Sequence, residues 1–165
     1  RVEKREIVHA LIIGEKDDAR HFQVFARQDT AVDVTPAIEA LSGCQIGSVF
    51  ERPTDQSVFV DLVLPRPLRR GEALMVDYQV LWGPTDEPTT RHDRIITFQQ
   101  RELGLRVRFD PSAVPQTVQY AVRDSIEQPL SSATTVSVPI VDGVAEVVRL
   151  DVPLGVHGLY WTWPD

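Results

Sequence analysis

The sequence predicts an all-β chain: a two-sheet antiparallel β-sandwich, immunoglobulin-like or similar, with at most one short helix. Three observations predict it. Apolar and polar residues alternate with period two in at least six segments. Gly and Pro punctuate the chain at intervals of about ten residues, the spacing of turns in sandwiches and barrels. Only one short stretch carries the start and stop signals of a helix.

Taken in order, residues 7–13 and 22–26 are rich in β-formers but alternate less cleanly, as expected of strands buried on both sides. Thr35, Pro36 and the run 37–41 before Gly43 read as a cap, a first helical residue and a turn and a half of helix. Val58, Val60, Leu62 and Leu64 then share one strand face, and Leu74, Val76, Tyr78 and Val80 share another. Between them, residues 65–72 hold Arg66, Arg69 and Arg70 and read as a solvated hairpin turn. Further rows are Leu103, Leu105, Val107 and Phe109; Val118, Tyr120 and Val122; and Val136, Val138 and Ile140. Val144, Val148, Leu150 and Val152 follow the same rule, with Glu146 interrupting their face. The last strand places Leu159, Trp161 and Trp163 on one side and Tyr160 and Thr162 on the other. The two Trp are expected to close a core, with a stacking platform for a sugar or an aromatic ligand as the alternative. Two polar stretches, 83–93 and 125–133, read as the long loops.

Length and composition set the class of object. The 165 residues fit a single domain, 1–165, excised from a longer chain, and 42% apolar against 25% charged residues is ordinary for a globular protein. A net charge of −7 argues against direct nucleic-acid contact, since phosphate binding needs clustered cations. The single cysteine, Cys44, allows no internal disulfide and points to a reducing, cytoplasmic setting. No apolar run reaches the roughly 18 residues of a membrane span.

Catalytic and cofactor signatures do not occur. The sequence lacks a Gly-x-Ser-x-Gly elbow and a Gly-rich phosphate cradle, and His9, His21, His92 and His157 lack the paired spacing of metal ligands. The expectation is therefore no enzyme, no metal and no cofactor. Cys44 reads as a small buried hydrophobe and the His92–Asp93 couple as solvated loop. Candidate binding residues are Trp82, Glu87, Arg91 and His92, in and beside the longer polar loop, where one large aromatic lies among charged side chains.

Several phrases together carry a resemblance. They are Pro-x-Pro-Leu-x-x-Gly-Glu with the strand after it (65–80), Leu-x-Val-x-Phe-Asp-Pro-x-x-x-Pro (105–115) and the ending Pro-Leu-Gly-Val-His-Gly-Leu-Tyr-Trp-Thr-Trp (153–163). The chain, from about residue 6 to residue 163, resembles the C-terminal β domain of lambda-repressor-like helix-turn-helix transcriptional regulators of bacteria. Leu154 departs from that family's Pro-Gly ending. The resemblance implies a cytoplasmic, non-catalytic sensory or oligomerising domain. Its partners would be a protein or a second copy in a homodimer, with a small-molecule effector, and the DNA-reading helices would lie upstream. An extracellular β-sandwich for adhesion or carbohydrate binding is the alternative.

Overall fold

Strands form where the sequence alternates, and two cores form where strand rows meet face to face. The computed structural model describes residues 4–28, 34–86 and 88–164. In chain order its strands are β1 (Arg5–Ile13), β2 (Ala19–Arg27), β3 (Ala37–Ser42), β4 (Gln45–Arg52), β5 (Ser57–Leu68), β6 (Ala73–Leu81), β7 (Arg91–Ile96), β8 (Gln100–Arg108), β9 (Thr117–Arg123), β10 (Thr134–Ser137), β11 (Ile140–Val141), β12 (Val144–Val152) and β13 (Gly155–Thr162). Two 3-10 turns, Pro53–Asp55 and Leu130–Ser132, are the helical structure among the described residues. The protein is all-β and every strand pairing is antiparallel. Where the sequence suggested one domain over 1–165, the strands gather into two compact units, Arg1–Pro88 and Thr89–Asp165, each with its own core.

The first unit packs a β1–β6–β3 sheet against a β2–β5–β4 sheet. Val58, Val60 and Leu62 of β5 face Tyr78 and Val80 of β6, with Val24, Ala26 and Ile38 filling the remaining space. Leu62 is wholly buried, and such a side chain contributes roughly 1.5–3 kcal/mol of hydrophobic stabilisation. The β5–β6 connection carries the Arg-rich turn, with Gly71 at φ 80°. It is not a hairpin, because its two strands belong to different sheets. The Arg66 guanidinium donates to Glu72 within the turn at 2.9 Å, while the Arg70 guanidinium donates to the Glu15 carbonyl of the β1–β2 connection at 3.1 Å.

Two expectations for this unit are corrected. The helical turn read at 36–41 is strand β3, because Ile38 alternates into the core and the strand pairs with β6 from Ala37 to Ser42, with a bulge after Ala40. Tertiary pairing overrides a weak local helix signal here. The strands expected to be buried on both sides are buried on one only. In β1, Val8, Ala10 and Ile12 turn inward, whereas Ile7, Leu11 and Ile13 are half or more exposed. In β2, Phe25 is 48% exposed.

The second unit packs a β10–β9–β13–β7 sheet against a β11–β12–β8 sheet. Leu105, Phe109, Val118, Tyr120, Ala145, Leu159 and Trp161 form its core. The row read on β12 is inverted: Ala145 and Val147 face the core, while Val148 and Leu150 are exposed and Glu146 pairs outside with Arg106 at 2.8 Å. Asp151 then adopts φ 51°, and beyond it the parity changes so that Val152 is buried.

The C-terminal aromatics close this core as read. Trp161 is 8% exposed and meets Phe109 edge-on with ring centroids 5.3 Å apart. Trp163 packs on the same Phe109 at 6.1 Å and donates its indole N–H to the Thr89 carbonyl at 3.0 Å. Trp161→Ala is expected to cost about 3–5 kcal/mol in the second unit, read as a lowered melting temperature. A variant as stable as the parent would remove Trp161 from the core.

Candidate functional site

Strand β13 is central in its sheet, and its alternation sorts two polar systems onto opposite faces. Cross-strand partners in an antiparallel pair share a face. Arg91 and Asp93 of β7 lie opposite Tyr160 and Gly158, on the outer side. His92 lies opposite Leu159, whose side chain belongs to the core. The adjacent residues Arg91 and His92, grouped as one candidate site from the sequence, therefore point to opposite faces. The polar loop is also shorter than it reads, since residues 91–93 belong to β7.

On the outer face, Asp93, Tyr160 and Arg123 form a closed polar cluster. The Tyr160 hydroxyl donates to Asp93 Oδ1 and accepts from Arg123 Nε at 3.0 Å. Arg123 also donates to Asp93 Oδ2 at 3.1 Å, and to the carbonyls of Ile126 and Gln128 at 3.0 and 2.9 Å. Arg123 is only 4% exposed, and a buried guanidinium with this set of partners is compensated rather than available to a ligand. Asp93 was read as solvated loop; it is instead the counter-ion of this cluster. Burial raises the Tyr160 phenol well above the ordinary tyrosine range, and the Asp93 carboxylate beside it adds to the rise.

Gly158 makes the cluster possible. A Cβ at that position would overlap Asp93 Oδ1 and stand 2.7 Å from the Tyr160 hydroxyl.

Facing the core, His157 is 1% exposed. Its Nε2 donates to the Pro153 carbonyl at 2.9 Å, which leaves Nδ1 to accept from the Tyr120 hydroxyl at 2.7 Å. The Arg149 guanidinium lies 4.6 Å from the centre of the Tyr120 ring. This is a saturated histidine, fixed in one tautomer by its two partners.

Beside the outer cluster lies an open groove of about 560 Å³, bordered by Thr90, Arg91, Thr117, Gln119, Gln128 and Thr162. Its lining is mixed: these hydroxyls and amides alternate with Ile126, Leu130 and Trp161 and with the Glu127 carboxylate, and Arg91 stands at one edge, 3.5 Å from Asp93. Its hydroxyl, amide and charged groups offer hydrogen bonds, and its apolar groups offer contact area, to a small molecule.

The remaining candidates lie elsewhere. Trp82 belongs to the first unit, is half-buried against its core and carries the Lys4 ammonium 4.7 Å from its ring centre. Glu87 lies outside the described residues. Cys44 is half-buried between β3 and β4, its Sγ 3.7 Å from the Asp77 carbonyl; burial, then the Asp77 charge, raises its thiol pKa. Among the described residues no group of three or more His, Cys, Asp or Glu is arranged to hold a metal ion, and no helix is long and apolar enough to cross a membrane.

Apolar side chains are exposed on both units, on the second at Phe98 and at Val148 and Leu150 of β12. On the outside of the β1–β6–β3 sheet, Ile7, Leu11, Ile13 and Met75 are 50, 57, 51 and 56% exposed, around a His9–Asp77 contact of 2.7 Å. On the outside of the β2–β5–β4 sheet, Phe25 and Phe50 flank Phe59 in direct cross-strand register, with centroids 4.8 and 6.3 Å from it.

Two measurements check the cluster. Gly158→Ala should lose about 1–3 kcal/mol of stability or more through overpacking, read by denaturant unfolding; an unchanged midpoint would refute the close approach. The raised Tyr160 phenol gives an alkaline dependence whose sign follows from linkage. Its stabilisation is intact below the unfolded value of 10.0 and is lost progressively as pH rises above it. Tyr160→Phe should flatten that alkaline loss, measured as melting temperature against pH. Compared with known proteins, the chain matches no family model, no curated protein and no solved structure.

Proposed function

We propose that this chain is the non-catalytic C-terminal part of a bacterial helix-turn-helix transcriptional regulator, and that it holds copies of its parent together. The observation that carries the reading is the apolar outer face of the β1–β6–β3 sheet, with Ile7, Leu11, Ile13 and Met75 all at or above half exposure. Exposed apolar side chains grouped on one sheet face mark an interaction site more often than single scattered ones do. Repressor-type heads read paired half-sites and need a partner to do so, which gives such a face its use. The chain's net charge of −7 assigns the phosphate contacts to another segment. The open groove beside Arg91, with its mixed polar and apolar lining, is where a small effector would bind, and the single half-buried thiol of Cys44 fits a reducing cytoplasm.

A second reading, an exported carbohydrate-binding or adhesion module, draws on the Phe25–Phe59–Phe50 row, whose ring faces could stack on sugars. Titration with oligosaccharides followed by calorimetry would select it.

The first reading is tested by fusing the chain behind a helix-turn-helix head that represses only as a dimer. Repression should be restored, and the chain alone should not shift random duplex at moderate salt. A silent fusion or tight duplex binding would overturn the assignment.

A further inference from the structure

Among the described residues the exposed face of the first unit ends in an open strand, and the eight sheet edges they form are not alike. An edge strand presents unpaired N–H and C=O groups, which proteins usually guard with bulges, charges, Pro or short length. Strands β2, β3 and β4 each carry a register shift, at 19–21, 40–42 and 46–49. Strands β10 and β11 have only four and two residues. Strand β7 carries Arg91, Asp93 and Arg94, and β8 carries Arg101, Glu102, Arg106 and Arg108. Strand β1 has none of these guards beyond Arg5 and Glu6 at its start. Its nine residues run in unbroken register along β6, without Pro, and every second side chain from Ile7 to Ile13 other than His9 is exposed and aliphatic.

We infer that β1 is the pairing strand through which two copies of this chain associate, antiparallel and centred on His9. This rests on the reading of the chain as an oligomerising module and names the surface that does it. The occupant follows from the sequence of β1 itself, Arg-Glu-Ile-Val-His-Ala-Leu-Ile-Ile. About a two-fold axis at His9, all nine residues find partners: Ile7 faces Leu11 of the second copy, Val8 faces its Ala10, and both contacts occur twice. Period two keeps the faces aligned, so Ile7, Leu11 and Ile13 of both copies form one apolar band. Charge is compatible as well. Arg5 and Glu6 oppose Ile13 and Ile12, and the two His9, which meet at the axis, each keep their own Asp77 carboxylate 2.7 Å away. A two-fold at Ala10 would pair only residues 7–13 and set His9 against Leu11.

Pairing nine residues on nine closes roughly eight to ten backbone hydrogen bonds, the number a specific interface usually carries. The product is a continuous six-stranded sheet, β3–β6–β1 joined to the same three strands of the second copy, with both β1 edges removed.

The test uses the whole 165-residue chain and light scattering across a concentration series. The wild type is expected at twice 18.6 kDa. Leu11→Lys should run at the single mass with an unchanged far-ultraviolet circular dichroism spectrum, because Leu11 is 57% exposed and supports no core. Ile7→Lys with Leu11→Lys should also stay single. Ile7→Lys with Leu11→Glu should return to the double mass, since the introduced ammonium at position 7 then faces the introduced carboxylate at position 11 of the second copy. A wild type of single mass at all concentrations overturns the inference, as does a dimer indifferent to all three variants. In the latter case a repressing fusion still upholds the oligomerising role, through another surface.

Discussion

The guanidinium of Arg123 sits where water does not reach, and much of the second unit is arranged around satisfying it. One side of β13 is filled by Leu159 and Trp161, so the other must accommodate Arg123, Tyr160 and Asp93 without leaving a charge unpaired. That requirement places Asp93 on β7, an open Cα at Gly158 and the carbonyls of Ile126 and Gln128 over the sheet. The segment after β9 is thereby tied down by backbone acceptors rather than by apolar packing. Removing any one partner would leave a buried polar group, which costs more than the net gain from the bond it made.

Most of the fold was legible because short-range alternation reports burial directly. The rows Val58–Val60–Leu62, Val76–Tyr78–Val80 and Leu105–Val107–Phe109 face their cores as period two demands. The failures share one cause, that local pattern does not reveal the partner. Strand β3 carries Pro36 and Gly43 at helix-like positions but is fixed by pairing with β6. On β12 the valines at 144 and 148 outweigh the smaller Ala145, and nothing local announces the parity change at Asp151. That the strands divide between two cores was not readable either, because period two marks a buried face without saying which sheet covers it.

The polar cluster was still less legible. Asp93, Arg123 and Tyr160 lie 30 and 37 residues apart in sequence, and only the register of β7, β9 and β13 brings them together. A faint signal existed in Arg123, the one charged residue of β9, and in Gly158, a glycine beside large residues. His92 was grouped with Arg91 because both fall in the longer polar stretch, whereas in a strand adjacent residues are those least able to share a site.

Two cores in one chain also mean two separate responses to damage. Cys44 is the single thiol of the 165 residues, and it lies against the first core alone. Cys44 is half-buried, so its rate of reaction with a thiol reagent follows how tightly that half packs around it. Trp161 and Trp163 report by fluorescence on the other half, though Trp82 contributes a background from the first. The molecule thus carries its own pair of reporters, one reactive and one optical, through which the loosening of either half can be timed without adding a label.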